Sequence, residues 1–95
     1  MSLLSLFTRS VSSATVLGAH DEVALCNTTA SYFTVTLMPA RSRIGDRVYV
    51  KNVGTGNLTI DAHESETIDG DTTKELALQY DALTLLSDGV RWWIL

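Results

Sequence analysis

Few side chains in this 95-residue chain can act as acids, bases, nucleophiles or metal ligands, and their spacing limits what they can do. The two histidines, His20 and His63, and the single cysteine, Cys26, stand apart from one another. No neighbouring serine, aspartate or lysine builds a nucleophile with its base and orienting group. The richest stretch is acidic: Asp61, Glu64, Glu66, Asp69 and Asp71 supply enough oxygens for a hard cation such as calcium. They do not follow the EF-hand order, and an exposed loop that keeps a sheet edge soluble uses the same residues. Two carboxylates from this set would serve glycoside hydrolysis at the right separation, but nothing in the spacing singles out a pair. Gly54 and Gly56 lack the Lys-Ser/Thr and helix of a phosphate loop, so they read as a tight turn whose glycines can take positive φ. Cys26 on an apolar run reads as a small core residue, and His63 as part of a solvated turn. The expectation is a protein without catalytic, metal or cofactor site, and not an enzyme.

Composition limits the rest. With 45% apolar residues, one cysteine and no zinc-like spacing, the chain forms a small domain that no disulfide within it can staple. Hiding apolar surface against copies of itself is the remaining route to stability, so an oligomer is expected. A net charge of −4 and a pI near 4.8 argue against a nucleic-acid partner. Charge is unevenly placed: Arg41, Arg43, Arg47 and Lys51 precede an acidic stretch from Asp61 to Glu75 in which Lys74 is the one lysine or arginine. Met1 to Ser13 is apolar and Ser-rich, yet its run is too short for a secretory core or for the ~20 residues of a membrane span. Residues 1–12, with Leu3, Leu4, Leu6 and Phe7, are therefore expected to form an arm lying on a neighbouring subunit, and residues 13–95 a single domain.

The elements are strands. Tyr32 to Met38 alternates Phe33, Val35 and Leu37 with polar residues, and Pro39 ends it. Shorter runs at Ser13–Leu17 and Glu22–Cys26 flank a turn at Gly18. Arg47 to Lys51 puts Val48 and Val50 on one face, and Asn57 to Asp61 does the same with Leu58 and Ile60. Glu66 to Asp69, Leu76 to Gln79, Ala82 to Leu86 and Val90 to Leu95 follow, with Leu76 and Leu78 expected on one side. Asp88-Gly89 predicts a two-residue hairpin pairing Leu83 and Leu85 with the last strand. The fold expected is all-β: a small antiparallel sandwich or barrel, or a β-helix-like stack. Trp92 and Trp93 must face opposite sides, so Trp93, with Leu95, is expected at an interface.

Several of these residues occur in a familiar order. Gly45-Asp46-x-Val48-x-Val50-x-Asn52, then Leu58-Thr59-Ile60, Glu66-Thr67-Ile68-Asp69-Gly70 and Tyr80-Asp81-Ala82-Leu83-x-Leu85-x-Ser87-Asp88-Gly89-x-x-Trp92 resemble a β-structural module of bacteriophage virion proteins. These are capsid decoration (cement), tail fibre and tailspike proteins. The resemblance covers about half the chain and implies a homotrimer around a threefold axis. Without a long shaft, this chain is more similar to a decoration subunit on the capsid surface. There it would bind the major capsid protein through the arm and through Arg41, Arg43 and Arg47. The alternative is a tail fibre or tailspike module that recognises a host surface glycan through side chains such as Tyr80 and Trp92.

Overall fold

The computed structural model describes residues 7–18 and 22–95. Nine strands follow one another: β1 Phe7–Val11, β2 Thr15–Leu17, β3 Glu22–Cys26, β4 Phe33–Leu37, β5 Arg47–Asn52, β6 Leu58–Asp61, β7 Thr73–Leu76, β8 Ala82–Ser87 and β9 Trp92–Ile94. A 3-10 turn, Ala40–Ser42, follows Pro39. The strands form a five-stranded sheet in the order β1-β3-β5-β8-β9 and a four-stranded sheet in the order β2-β4-β6-β7.

Three successive strand pairs, β1/β2, β3/β4 and β5/β6, each give one strand to each sheet, and their neighbours pair in parallel. Antiparallel pairing is confined to the C-terminal part, where β8 lies on β5, β9 on β8 and β7 on β6. The sheets are therefore mixed, not antiparallel throughout. Alternation dictates which side chains are buried, and a strand with a buried face satisfies it equally with a parallel or an antiparallel neighbour.

Between the sheets lies one core: Leu17, Ala24, Cys26, Val35, Leu37, Val48, Val50, Leu58, Ile60, Ile68, Leu85 and Trp92 are buried. The period-two expectation holds for β4, β5 and β6. The hairpin of β8 and β9 also forms, pairing Leu85 with Ile94 and Ser87 with Trp92, whereas Leu83 lies beyond the short last strand and pairs only with Val50 of β5. Its loop is wider than two residues. Asp88 Oδ1 accepts from the backbone N–H of both Val90 and Arg91, at 2.8 and 2.9 Å, and Gly89 takes φ 95°.

Three other expectations fail locally. Residues 7–11, expected in the arm, form β1 alongside β3, with Val11 buried against the core. The strand expected at Leu76 to Gln79 lies earlier, at Thr73–Leu76. Its continuation turns away because Asp81 Oδ2 accepts from the Leu78 N–H and Tyr80 adopts φ 73°, which leaves Leu78 exposed. Glu66 to Asp69 makes only isolated bridges, Ile68 with Asp71 and with Trp92.

Gly54 and Gly56 differ from expectation in their reason. Neither takes a positive φ. A Cβ on Gly54 would run into the Thr28 backbone N, and one on Gly56 would lie 2.5 Å from the Thr28 carbonyl oxygen. These glycines permit close approach of two loops, not an unusual turn.

Candidate interaction surfaces

The strand parities define the outer face of the five-stranded sheet. Glu22, Ala24 and Cys26 of β3 and Val48, Val50 and Asn52 of β5 point inward, so Val23, Leu25, Arg47, Tyr49 and Lys51 point out. The outward row continues through Thr84 and Leu86 of β8 to Trp93, which is opposite Leu86, itself opposite Arg47. An open groove of about 400 Å³ runs along this face, lined by Val23, Leu25, Tyr49, Lys51, Ala82 and Leu95 among others.

This arrangement collects part of the expected interface. Arg47, Trp93 and Leu95 share the outer face, with Trp93 39% and Leu95 70% exposed. As expected, Trp92 and Trp93 part company: Trp92 is fully buried and donates from Nε1 to the Met38 carbonyl at 3.2 Å. It is therefore unable to touch a glycan, which removes it from that reading. Arg41, exposed on the 3-10 turn, and Arg43, in an ion pair with Asp46, sit at the end of the sandwich instead. Phe7 opens β1, while Leu3, Leu4 and Leu6 lie outside the described residues. Tyr49 stands where alternation puts it, opposite Val48 and Val50, whereas Val23 and Leu25 were missed as surface residues. The available signal was that Val23-Ala24-Leu25-Cys26 is apolar at both parities, as a strand covered on both faces would be.

The acidic stretch disperses its carboxylates among separate tasks. Glu66 Oε1 accepts from the Ala40 N–H at 3.0 Å, and Asp69 Oδ1 from the Ile94 N–H at 3.0 Å. Asp71 pairs with Lys74 at 2.7 Å, and His63 lies 3.4 Å from Glu64. Among the described residues, no group of three or more His, Cys, Asp or Glu side chains comes together as a metal site would require. Nor is there among them a helix long and apolar enough to cross a membrane. Cys26 is buried, and burial pushes its thiol up to about 11, away from the thiolate that nucleophilic chemistry needs.

The residues that carry the virion resemblance are structural. The Gly45 N–H donates to the Ser87 carbonyl at 2.8 Å, and the Ser87 N–H to the Asp46 carbonyl at 3.2 Å, which clamps the 40s bend to the last hairpin. Ser87 Oγ donates to the Ala40 carbonyl at 2.7 Å. Asp88 shapes the hairpin loop and also accepts from Trp93 Nε1 at 2.8 Å.

At the opposite end, Asn52 is fully buried and fully bonded. Its Nδ2 donates to the carbonyls of Gly56 and Leu76 at 2.8 and 2.9 Å, and its Oδ1 accepts from the Gly54 N–H at 3.1 Å. Thr28 Oγ1 lies 2.8 Å from that Oδ1 and 2.9 Å from the Gly56 carbonyl, with one hydrogen to give. No protein-family model matches the chain, and no curated protein matches its sequence.

Proposed function

We propose that this chain is a non-enzymatic virion subunit: a capsid decoration protein that associates with copies of itself and adds to the shell of major capsid protein. The observation that carries the reading is the outer face of the five-stranded sheet, where half-buried Val23, Leu25 and Tyr49 lie with exposed Trp93 and Leu95, beside Arg47 and Lys51 and with Asp88 bonded to the Trp93 indole. A single-chain protein gains nothing by exposing such a face, whereas a face packed around a threefold axis removes it from water. In this reading the parallel strand pairs form a short β-helix-like column, and the trimer brings three outer faces together. Arg41 and Arg43, at the end of the sandwich, turn toward the shell. Binding only the assembled shell, the protein stabilises it by linkage. The order of turn residues, which resembles that of virion modules, supports the same placement.

Sedimentation of the purified chain tests the association, with a trimer expected. A folded monomer at micromolar concentration would remove the physical basis of the reading. Imaging intact particles tests the location: copies distributed over the capsid lattice are expected, and copies confined to the tail would transfer the protein to the fibre class.

A further inference from the structure

Each sheet ends in two edge strands, β1 and β9 in one and β2 and β7 in the other, and three of these edges resist a further strand. On β9 the Leu95 N–H donates to the Thr84 carbonyl and the Asp88 N–H to the Arg91 carbonyl, so alternation leaves Trp92 and Ile94 with backbone groups turned away from β8. The segment before β7 covers them. The Trp92 N–H donates to the Thr67 carbonyl at 2.9 Å, the Trp92 carbonyl accepts from the Asp69 N–H at 3.1 Å, and the Ile94 N–H donates to Asp69 Oδ1 at 3.0 Å. On β2 the Leu17 carbonyl accepts from the Met38 N–H, which leaves Val16 facing away from β4. Its carbonyl is taken by Arg9 Nη2 at 2.6 Å. On β7 charge does the guarding: Lys74 falls on the parity of buried Leu76, and exposed Glu75 stands beside it.

The β1 edge has none of these devices. The Val11 carbonyl accepts from the Asn27 N–H at 2.8 Å, so Phe7, Arg9 and Val11 turn their backbone groups to β3, while Thr8 and Ser10 turn theirs away. Among the described residues nothing bonds to those groups. Both residues are exposed and uncharged. An open edge of this kind is a template for strand addition, and the free groups here are symmetric about Arg9. An antiparallel copy of β1, related by a two-fold axis through Arg9, sets Thr8 opposite the partner's Ser10 and Ser10 opposite the partner's Thr8. Both are then pairs of the hydrogen-bonded type, and every outward N–H and C=O of Thr8 and Ser10 on the two chains is used. Shifting the register by one residue would set outward groups against groups already bonded to β3. Arg9, at the axis, brings its own counter-charge, with Nε 3.0 Å from Glu22 Oε1.

We propose that the β1 edge is a two-fold contact between copies of this chain, made by antiparallel backbone pairing of Thr8 and Ser10 across Arg9. Because the other edges are covered or charged, a copy added at β1 offers no edge to a third, and the contact closes instead of growing into a filament. It uses a different surface from the outer face proposed above for self-association and does not depend on it. Two five-residue strands meeting edge to edge bury far less than the roughly 800 Å² per partner of a stable protein contact. The contact is therefore weak, and it acts where copies are concentrated, joining one assembly to the next.

Sedimentation of the full chain over a concentration series reaching about 1 mM tests it. The mass is expected to double, whether the species at low concentration is the trimer of the outer-face contact or a monomer, so the two contacts succeed or fail separately. Ser10→Pro should abolish the doubling and leave the circular dichroism unchanged, since the N–H it removes faces away from β3 and an edge strand tolerates proline there. Mild oxidation of a mixture of Thr8→Cys and Ser10→Cys chains should give disulfide-linked pairs, because residues opposite one another in a hydrogen-bonded pair lie about 5.5 Å apart. Neither variant alone should crosslink as readily, and Cys26, buried in the core, does not compete. No doubling of the wild type, doubling that survives Ser10→Pro, or equal crosslinking in either variant alone would each overturn the proposal. Pairing that appears only when major capsid protein is added would also overturn it, by giving the edge to a strand of the shell.

Discussion

Thr28 Oγ1 and Asn52 Oδ1 lie 2.8 Å apart across 24 positions of sequence, and around this pair three loops meet the core. Buried amides are tolerated only when all their hydrogen-bonding groups are used, and Asn52 meets that condition with two donated and two accepted bonds.

Replacing Asn52 by Ala should therefore cost about 2–4 kcal/mol, because the Leu76 carbonyl loses its donor and the Gly54 N–H its acceptor inside the protein. Urea denaturation would measure it. Gly54→Ala should be destabilising by a comparable amount, since its methyl meets the Thr28 backbone, which cannot swing aside as a side chain can. The two together should cost less than their sum, because both open the same joint.

Arg9 closes the β1/β2 end of the sheets. Its Nε lies 3.0 Å from Oε1 of buried Glu22, and its Nη2 donates to the Val16 carbonyl at 2.6 Å. Arg9→Met should destabilise by about 3 kcal/mol, chiefly by leaving the Glu22 carboxylate buried without its cation. The double variant Arg9→Met/Glu22→Gln should recover a large part of that loss. A double variant no more stable than the single one would show that lost packing of the Arg9 stem, not charge, dominates.

Asp88 gives the fold an acid limit that can be followed optically. The Trp93 indole N–H, then the Arg91 and Val90 amides, hold its carboxyl down to about 2 from the usual 3.8. A lowered folded value means the contribution to stability is complete above about pH 4 and is lost as the pH falls through about 2. Trp93 fluorescence should change in that window. In Asp88→Asn the change should vanish, because the amide retains an acceptor and no longer titrates.

Cys26 titrates in the opposite sense. Burial raises its thiol from 9.0 to about 11, with Arg9 partly opposing the shift and Glu22 adding to it. The stability linked to the neutral thiol is complete below pH 9 and declines as the pH rises through about 11. At neutral pH an aromatic disulfide reagent should label Cys26 only at the rate of unfolding, and become fast in denaturant. Prompt labelling of the native protein would mean that β3 opens readily to solvent.

The strands whose burial repeats every second residue were legible because the pattern is local: Val35 and Leu37, Val48 and Val50, Leu58 and Ile60 all fall where alternation puts them. So was the split between Trp92 and Trp93, which follows from adjacent residues facing opposite sides of a strand. Leu78 was misplaced because nothing in Leu-Ala-Leu-Gln announces that Tyr80 will leave the β region two residues later. The glycines at 54 and 56 were assigned to the right loop but for the wrong reason, since their neighbour, Thr28, is remote in sequence. Of the candidate surfaces, the C-terminal residues Trp93 and Leu95 and the outward side of Tyr49 were visible, whereas Val23 and Leu25 needed the sheet to be assembled around them.

The amino-acid order alone determined an all-β chain, the inward and outward sides of its main strands, and the turns marked by Gly, Asn and Asp, because each depends on residues within a few positions of one another. Tertiary structure alone decided that successive strands pair in parallel across two sheets, that charge gathers at one end, and that a buried amide braces the other. Those outcomes depend on which distant segments become neighbours, and side-chain alternation is the same for every choice of neighbour.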